Sequence, residues 1–367
     1  MTAWKGVALV AGITILAVDM WDITLSLVVP RPWRHGPVVG TLGTIRRIVR
    51  SCIAHLKSFS TRDRLLAALE GLLMLVRLGL WLGIALVGYA IVIWATGTIA
   101  FTSAFVKSGS DIFTLGFANP HGAGPSVVAF LAAATGLIIV ALQIAYLPAL
   151  YDAFNRRETL VSLLESRASS PAWGPELLAR HHLIGLESEL GRLYADWERW
   201  AADVAESHTT YPVLMQLRSP HPTNSWIVSL VAVMDAAALQ LALQPSTAPS
   251  SARMCVRMGF SSLRDIATVQ RFVYNPDPMP DDRIELSYDD FLDGVTRISQ
   301  AGIEIERTAE EAWPHFKGWR VNYESIALQL AKTVVAPPAP WLSIGVGHES
   351  PIIPTRPLDR RPDLKGG

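Results

Sequence analysis

The sequence predicts an all-α membrane protein with three transmembrane helices followed by a helical cytoplasmic domain. Half of the 367 residues are hydrophobic and only 17% are charged, whereas soluble domains usually carry about 25% charged residues. Three apolar segments, at about 6–29, 65–100 and 122–151, are each longer than the roughly 20 residues that a spanning helix needs. After residue 151 the pattern changes to amphipathic, charged helices.

The first apolar segment is expected to be a membrane helix and not a cleaved signal peptide. Lys5 is the only early basic residue, and Asp19 and Asp22 interrupt the apolar stretch. No small-residue cleavage site follows it cleanly. The segment is therefore expected to stay in the protein as its first transmembrane helix, residues 1–30.

Basic residues after the first helix set the expected orientation. Eight arginine and lysine side chains lie between residues 31 and 64, where Asp63 is the only acid. Such an excess marks a cytoplasmic loop, so the N-terminus is expected outside and the C-terminal half in the cytoplasm. Four further segments are expected: a basic linker (31–64), the second and third helices with their connection (65–151), a helical cytoplasmic domain (152–335) and a disordered tail rich in proline and glycine (336–367).

Part of the basic linker has the pattern of an amphipathic helix. Apolar residues recur at helical spacing over residues 45–57, with Arg46, Arg47 and Arg50 on other faces. A basic amphipathic helix can lie on anionic lipids of the inner leaflet. It can equally pack on the C-terminal domain, and the sequence supports both interpretations to the same degree.

Charged residues also fall within the predicted spans. Asp19, Asp22 and Arg77 are intramembrane candidates, and such residues are costly and often functional. Arg77 is the obvious partner for the aspartates. In the simpler alternative, which the sequence slightly favours, the second span begins near Leu78 and Arg77 marks the interface.

The connection between the second and third helices carries the candidate functional motif. Residues 101–113 can form a short helix on the outer side, followed by Thr114-Leu115-Gly116-Phe117-Ala118-Asn119. This stretch resembles the selectivity filter of potassium channels, usually T-V-G-Y-G-D, and the order of helix, short helix, filter and inner helix is the same. The alternative is an ordinary loop, since a match of this length is weak. The position just before the last span favours a re-entrant pore loop.

The resemblance implies specific roles for these residues. Potassium filters replace the hydration shell of the ion with backbone carbonyls and a threonine hydroxyl, here those of residues 114–118. Gly116 is expected to adopt a positive φ, and Phe117 to pack behind the filter. Ala118 replaces the second filter glycine and Asn119 the outer aspartate, which puts the outermost ion site in question. No cofactor is expected apart from potassium ions in the filter.

Three polar residues precede the filter on the short helix and are expected to support it. They are Ser108, Ser110 and Asp111. Ser110 stands where many pore helices have a glutamate that braces the filter aspartate. Because Asn119 replaces that aspartate, neither residue of the glutamate–aspartate pair is present here. Asp111 can replace some of that charge.

A longer resemblance extends over about residues 65–240. The inner helix ends in the pattern Y-L-P-x-L-Y-x-A-F-x-R-R-E, here Tyr146 to Glu158, which is similar to bacterial ion-channel proteins of the two-pore-domain type. Because each chain has one pore loop, the resemblance implies a homotetramer in the bacterial inner membrane. The third helix would then line the cavity.

The third helix contains three candidate gate residues. Gly136 is a candidate hinge, or else a small residue for close helix packing, which is at least as common. Gln143 could face the cavity or hydrogen-bond to a neighbouring helix. Pro148 is expected to kink the helix near the inner mouth.

Other functions find little support in the sequence. The 32 basic and 32 acidic residues balance, so no global field favours nucleic acid. No nucleotide-binding or hydrolase motif indicates an enzyme, and the histidine spacing does not predict a metal site. The expected function is a channel for potassium. The alternatives are a non-selective monovalent-cation channel and a non-conducting scaffold or sensor with a degenerate filter.

Overall fold

The structure, a computed structural model, describes residues 3–29, 36–118, 120–342 and 352, and those residues form helices and connecting loops with no strands. The chain divides into two compact units, unit 1 (Met1–Asp152) and unit 2 (Ala153–Gly367). The first five helices, α1 to α5, are Ala3–Leu27, Pro37–Ala54, Phe59–Thr96, Phe101–Ile112 and Ala123–Ala168. Helix α5 continues through the division between the units.

Helices α1 and α3 of unit 1 lie antiparallel. At one end Lys5 Nζ donates a hydrogen bond to the carbonyl of Gly97 (2.6 Å), and the ring centroids of Trp4 and Trp94 are 4.9 Å apart. Residues early in α1 therefore contact residues late in α3. Tryptophan is enriched at membrane interfaces, so this end has the composition of an interfacial belt.

Helix α2 packs on α3. Arg46 donates two hydrogen bonds to the carboxylate of Glu70, at 2.9 and 2.7 Å, and Val38 and Ile53 are buried. A paired, bidentate arginine explains how Glu70 can be buried within the largely apolar helix α3. The sequence predicted that this helix contacts either anionic lipid or the C-terminal domain, and neither prediction included a contact with α3. Ile48 remains exposed on the opposite side of α2.

The short helix α4 is held between α3 and α5. Ser108 Oγ donates to the carbonyl of Leu86 in α3 at 2.8 Å. A Cβ atom placed on Gly136 of α5 would lie 2.2 Å from the carbonyl oxygen of Ile112, so only glycine permits this close approach. Tyr89 and Thr135 share a buried hydrogen bond that joins α3 to α5.

Unit 2 is a helical domain built around one buried helix. Its helices α6 to α12 are Gly174–Leu183, Leu190–Thr210, Trp226–Leu243, Ser250–Gln270, Tyr288–Gln300, Ala309–Arg320 and Glu324–Val334. Helix α8 contacts α6, α7, α9, α11 and α12. The first turns of α10 and α11 are fixed by capping boxes at Ser287 and Thr308, which satisfy backbone N–H groups that a helix start leaves unpaired.

Four helices in the described part of the chain are long and apolar enough to cross a membrane: α1, α3, α5 and α8. Three of them were predicted from the sequence, and α8 is an additional one. Protein already covers 94% of the apolar window of α8, against 22–39% in the other three. Helix α8 is therefore enclosed by its own domain, whereas α1, α3 and α5 leave apolar faces that suit lipid.

The prediction of a disordered tail from residue 336 does not fit residues 336–342. Ala339, Trp341 and Leu342 are buried in the core of unit 2, and the Trp341 ring packs at right angles to that of Trp173. The high proline content of this segment led to the prediction of disorder, although its apolar residues pack into the core. Apart from residue 352, the rest of the tail lies outside the described residues.

Candidate functional site

The candidate filter segment, Thr114–Ala118, follows α4 directly. Thr114 and Gly116 have positive φ angles of 53° and 73°, whereas Leu115 and Phe117 do not. The sign of φ thus alternates along four residues. A positive φ is unusual for a β-branched residue such as threonine, and strain of this kind clusters at functional sites. The expected positive φ of Gly116 is present.

Backbone and side-chain bonds to α4 hold the filter segment in this conformation. The N–H of Leu115 donates to the carbonyl of Ser110 at 2.8 Å, and the N–H of Thr114 to that of Asp111 at 3.1 Å. Ser110 Oγ accepts a hydrogen bond from the N–H of Ala118 at 3.2 Å. Ser110 is itself buried, so the serine at the position expected to brace the filter does contact its backbone.

The other two supporting residues have different surroundings. Ser108 anchors α4 to α3 and does not reach the filter segment. Asp111 is buried, and its Oδ2 atom has no hydrogen-bond partner among the described residues. Asn119, the last residue of the predicted motif, lies outside the described residues.

The apolar side chains of the filter segment are exposed in the single chain. Leu115 and Phe117 have 63% and 62% of their surface accessible. Phe117 was expected to pack behind the filter, but within this chain it is not covered. Two large apolar side chains on a rigid segment leave a surface that is typical of an interaction site.

A cavity of about 1050 Å³ adjoins the filter segment. Its lining comes from the end of α3, from α4 and from the start of α5, and it includes Lys107, Phe117, Ala118 and His121. The cavity and the exposed Phe117 occupy the same face of unit 1. A single chain therefore leaves considerable unfilled space beside the candidate filter.

The three candidate gate residues of α5 are all found in packed or continuous helix. Gly136 contacts the carbonyl of Ile112, which fits its role as a packing residue and not that of a hinge. Gln143 is buried and accepts a hydrogen bond from Arg77 at 3.3 Å, so it serves a neighbouring helix. The helix continues through Pro148 to Ala168.

The charged residues predicted to lie in the membrane, Asp19, Asp22 and Arg77, are found near the middle of α3. Asp22 accepts a hydrogen bond from the indole of Trp81 at 2.8 Å. Arg77 lies 5.0 Å from the ring centroids of both Trp81 and Tyr146, and its charge acts on Asp22. Arg77 is therefore a partner of Asp22 and not an isolated interface residue. Asp19 is buried, with no such partner for either oxygen among the described residues.

Unit 2 contains a buried arginine from the motif that ends the inner helix. Arg157 is fully buried, pairs with Glu158 and donates to the carbonyls of Leu214 and Leu217, at 2.7 and 2.8 Å. His208 lies 3.2 Å from the same guanidinium. Burial, together with the positive charge of Arg157, holds the pKa of His208 well below its ordinary value. His208 is thus a neutral structural residue.

Sequence reasoning missed a second buried arginine centre. Arg320 contacts both carboxylate oxygens of Asp235 at 2.7 Å and Glu324 at 2.8 Å. Burial alone lowers the pKa of Arg320, but Asp235 and Glu324 outweigh it and raise that pKa. The signal was present, because Asp235 is the one charged residue of apolar α8. Its partner 85 positions later could not be identified from spacing.

Comparison with protein-family profiles, with curated proteins and with solved structures gives no match.

Proposed function

We propose that the protein is a monovalent-cation channel, with potassium as its expected ion, that conducts through the backbone carbonyls of Thr114–Ala118. The observation that carries the proposal is the alternating sign of φ from Thr114 to Phe117, in a segment tied to buried α4. Backbone that alternates in handedness turns successive N–H groups to one side, which leaves the carbonyls to face the other. A row of carbonyls is the ligand set that a cation filter requires.

The strained threonine supports the same function. Thr114 adopts a conformation that costs of order 1–3 kcal/mol, and the structure retains it through hydrogen bonds from Thr114 and Leu115 to α4. These two bonds form a Schellman motif at the end of α4, which places the residue after the helix at a positive φ. Glycine is usual there, and a filter gives a reason for threonine, because its first residue must present both a carbonyl and a hydroxyl oxygen to the ion.

The exposed side chains support a homotetramer. One segment cannot surround an ion, so the proposal requires several copies around one axis, and closed rotational symmetry is the usual arrangement. Leu115 and Phe117 would then be covered by neighbouring copies. The cavity beside them would be narrowed by the same contacts.

The proposed location is the bacterial cytoplasmic membrane, with the N-terminus outside and unit 2 in the cytoplasm. The antiparallel packing of α1 on α3 supports this, because it puts Trp4 at the end of α3 that leads into α4. The basic residues between α1 and α3 belong to the opposite end. Arg47 and Ile48 on the exposed side of α2 are the proposed contacts with anionic lipid.

Ion flux with a matched glycine pair tests the proposal. Purified protein in liposomes, with opposed potassium and sodium gradients, should show a reversal potential close to the potassium equilibrium value. Gly116→Ala should abolish this selectivity. Gly185→Ala is the control, because Gly185 has almost the same φ of 71°, also has no neighbouring atoms where a Cβ would lie, and belongs to unit 2. Both changes cost on the order of 1 kcal/mol in backbone strain.

The alternative functions correspond to other outcomes of this experiment. Ala118 stands at the second filter glycine and does not have a positive φ, so the alternation ends there and favours a pore with a weakened outer site. Equal permeability to potassium and sodium would identify a non-selective cation channel. No current under changes of voltage, pH and calcium, in verified tetramers, would contradict conduction and leave a scaffold or sensor.

A further inference from the structure

Two carboxyl groups of α1 lie one helical turn apart but have opposite surroundings. Asp22 accepts a hydrogen bond from the indole N–H of Trp81. The positive charge of Arg77 also acts on it. Asp22 also lies at the start of α2, because a Cβ atom on Gly36 would be 1.3 Å from Asp22 Oδ1. The N-terminus of a helix favours negative charge. Each of these three contacts stabilises the ionised form of Asp22.

Asp19 has none of these contacts. It is 1% exposed, and neither of its carboxylate oxygens has a hydrogen-bond partner among the described residues. An ionised carboxylate buried without a partner is costly by several kcal/mol. Asp19 is eight residues from the end of α1 at Leu27, so at 1.5 Å per residue it is about 12 Å inside that end.

The charges around Asp19 make the ionised form still less favourable. Within the described residues, Asp22 on α1 is the charged group that acts on Asp19, and it repels a second negative charge. Arg77 on α3 acts on Asp22, and Tyr146 and Gln143 of α5 contact Arg77. Residues 37–40 at the start of α2 carry no charge. The positive charge of Arg77 and the negative charge of Asp22 already balance, so an ionised Asp19 would leave a net negative charge inside the membrane.

We propose that Asp19 is a proton-binding site within the membrane, a neutral carboxylic acid beside an ionised Asp22. A hydronium ion of the solvent supplies the proton: one of its O–H bonds breaks and leaves water, and one O–H bond forms on the Asp19 carboxylate. The proposal rests on α1 lying in the membrane and does not depend on ion conduction. Two neighbouring carboxyl groups in different environments can hold different protonation states and so serve different roles.

Infrared difference spectroscopy of the full-length protein in lipid tests this site, because the C=O stretch of a neutral carboxylic acid lies apart from the amide bands. Wild type minus Asp19→Asn, near neutral pH, should show such a band. Wild type minus Asp22→Asn should not, and Asp19→Glu should retain the band. Absence of the band from the Asp19→Asn difference, or its presence only in the Asp22→Asn difference, would overturn the proposal.

Thermal unfolding gives a second, independent measurement. Asp19→Asn replaces a neutral acid by a neutral amide of the same shape, so its midpoint should stay close to that of the wild type. Asp22→Asn removes the charge that Arg77 and Trp81 contact, so its midpoint should fall clearly. A large loss with Asp19→Asn would mean that Asp19 is ionised and paired, contrary to the proposal.

Discussion

At the scale of single residues, Ser110 connects a helix to the candidate filter. Its hydroxyl is the only side-chain group among the described residues that bonds to the N–H of Ala118. A neutral hydroxyl takes the position where the resemblance implies a charged brace. The outer part of the filter segment is thus held by one ordinary hydrogen bond, which contributes about 1 kcal/mol.

We therefore expect Ser110→Ala to loosen the segment at Ala118 and to lower the potassium-to-sodium permeability ratio, with little effect on overall stability. The reversal potential in liposomes measures this ratio. Ser126→Ala is the matched control, since within the described part of the chain Ser126 Oγ bonds to the carbonyl of Gly122 and not to the filter segment. An unchanged ratio in Ser110→Ala would show that this bond does not fix the filter.

Gly136 gives a second prediction at this scale, and it separates packing from hinge motion. Gly136→Ala would place a methyl group against the carbonyl of Ile112, and overpacking of this kind costs about 1–3 kcal/mol. We expect a lower thermal midpoint and a displaced α4. Gly83→Ala in α3 has nothing within 4 Å of its new methyl, so it should be neutral or slightly stabilising. A hinge at Gly136 would instead alter gating with an unchanged midpoint.

At the scale of elements, α5 and α7 meet at the buried pair Arg157 and His208. The unfolded chain binds a proton at His208 near its ordinary pKa of about 6.5, whereas the folded chain does not, because the folded pKa is depressed. The unfolded state then holds more protons, so stability is complete above that pH and decreases as the pH falls below it. The expected slope is about 1.4 kcal/mol per pH unit until the folded pKa is reached.

This pH dependence should appear as lower protection factors, after correction for the pH dependence of intrinsic exchange, in peptides from α7 below about pH 6.5. His208→Gln cannot gain a proton, so it should flatten the dependence, whereas His221→Gln at an exposed position should leave it as in the wild type. Equal acid sensitivity in wild type and His208→Gln would mean that another group is responsible.

The ion-pair centre of α8, α11 and α12 behaves differently from a surface salt bridge. Arg320→Met leaves Asp235 buried without its charge partner, which typically costs 3–5 kcal/mol. The double variant Asp235→Leu, Arg320→Met removes this pair but leaves buried Glu324 without its arginine, so we expect it to recover part of the loss. Chemical denaturation of the three proteins measures the difference. A double variant that is less stable than Arg320→Met would show that the polar centre is required for the fold.

At the scale of the whole molecule, the sequence was most informative where a long pattern had a physical cause. Apolar length predicted α1, α3 and α5, and the local match from Thr114 to Phe117 predicted a segment that needs a positive φ at Gly116. Contacts between distant residues were out of reach. The bond of Arg46 to Glu70, the position of Gly136 against Ile112 and the packing of Trp341 depend on tertiary structure, which no local pattern encodes.

Helix α8 has a consequence for how the chain is made. It is complete at Leu243, but α9, α11 and α12 are synthesised later, the last ending at Val334. During that interval an 18-residue apolar helix lacks most of its covering and resembles a segment for membrane insertion. Asp235 near its centre opposes insertion by about 2.5–3.5 kcal/mol. Asp235, which later binds Arg320, is therefore expected also to disfavour membrane insertion of the nascent helix.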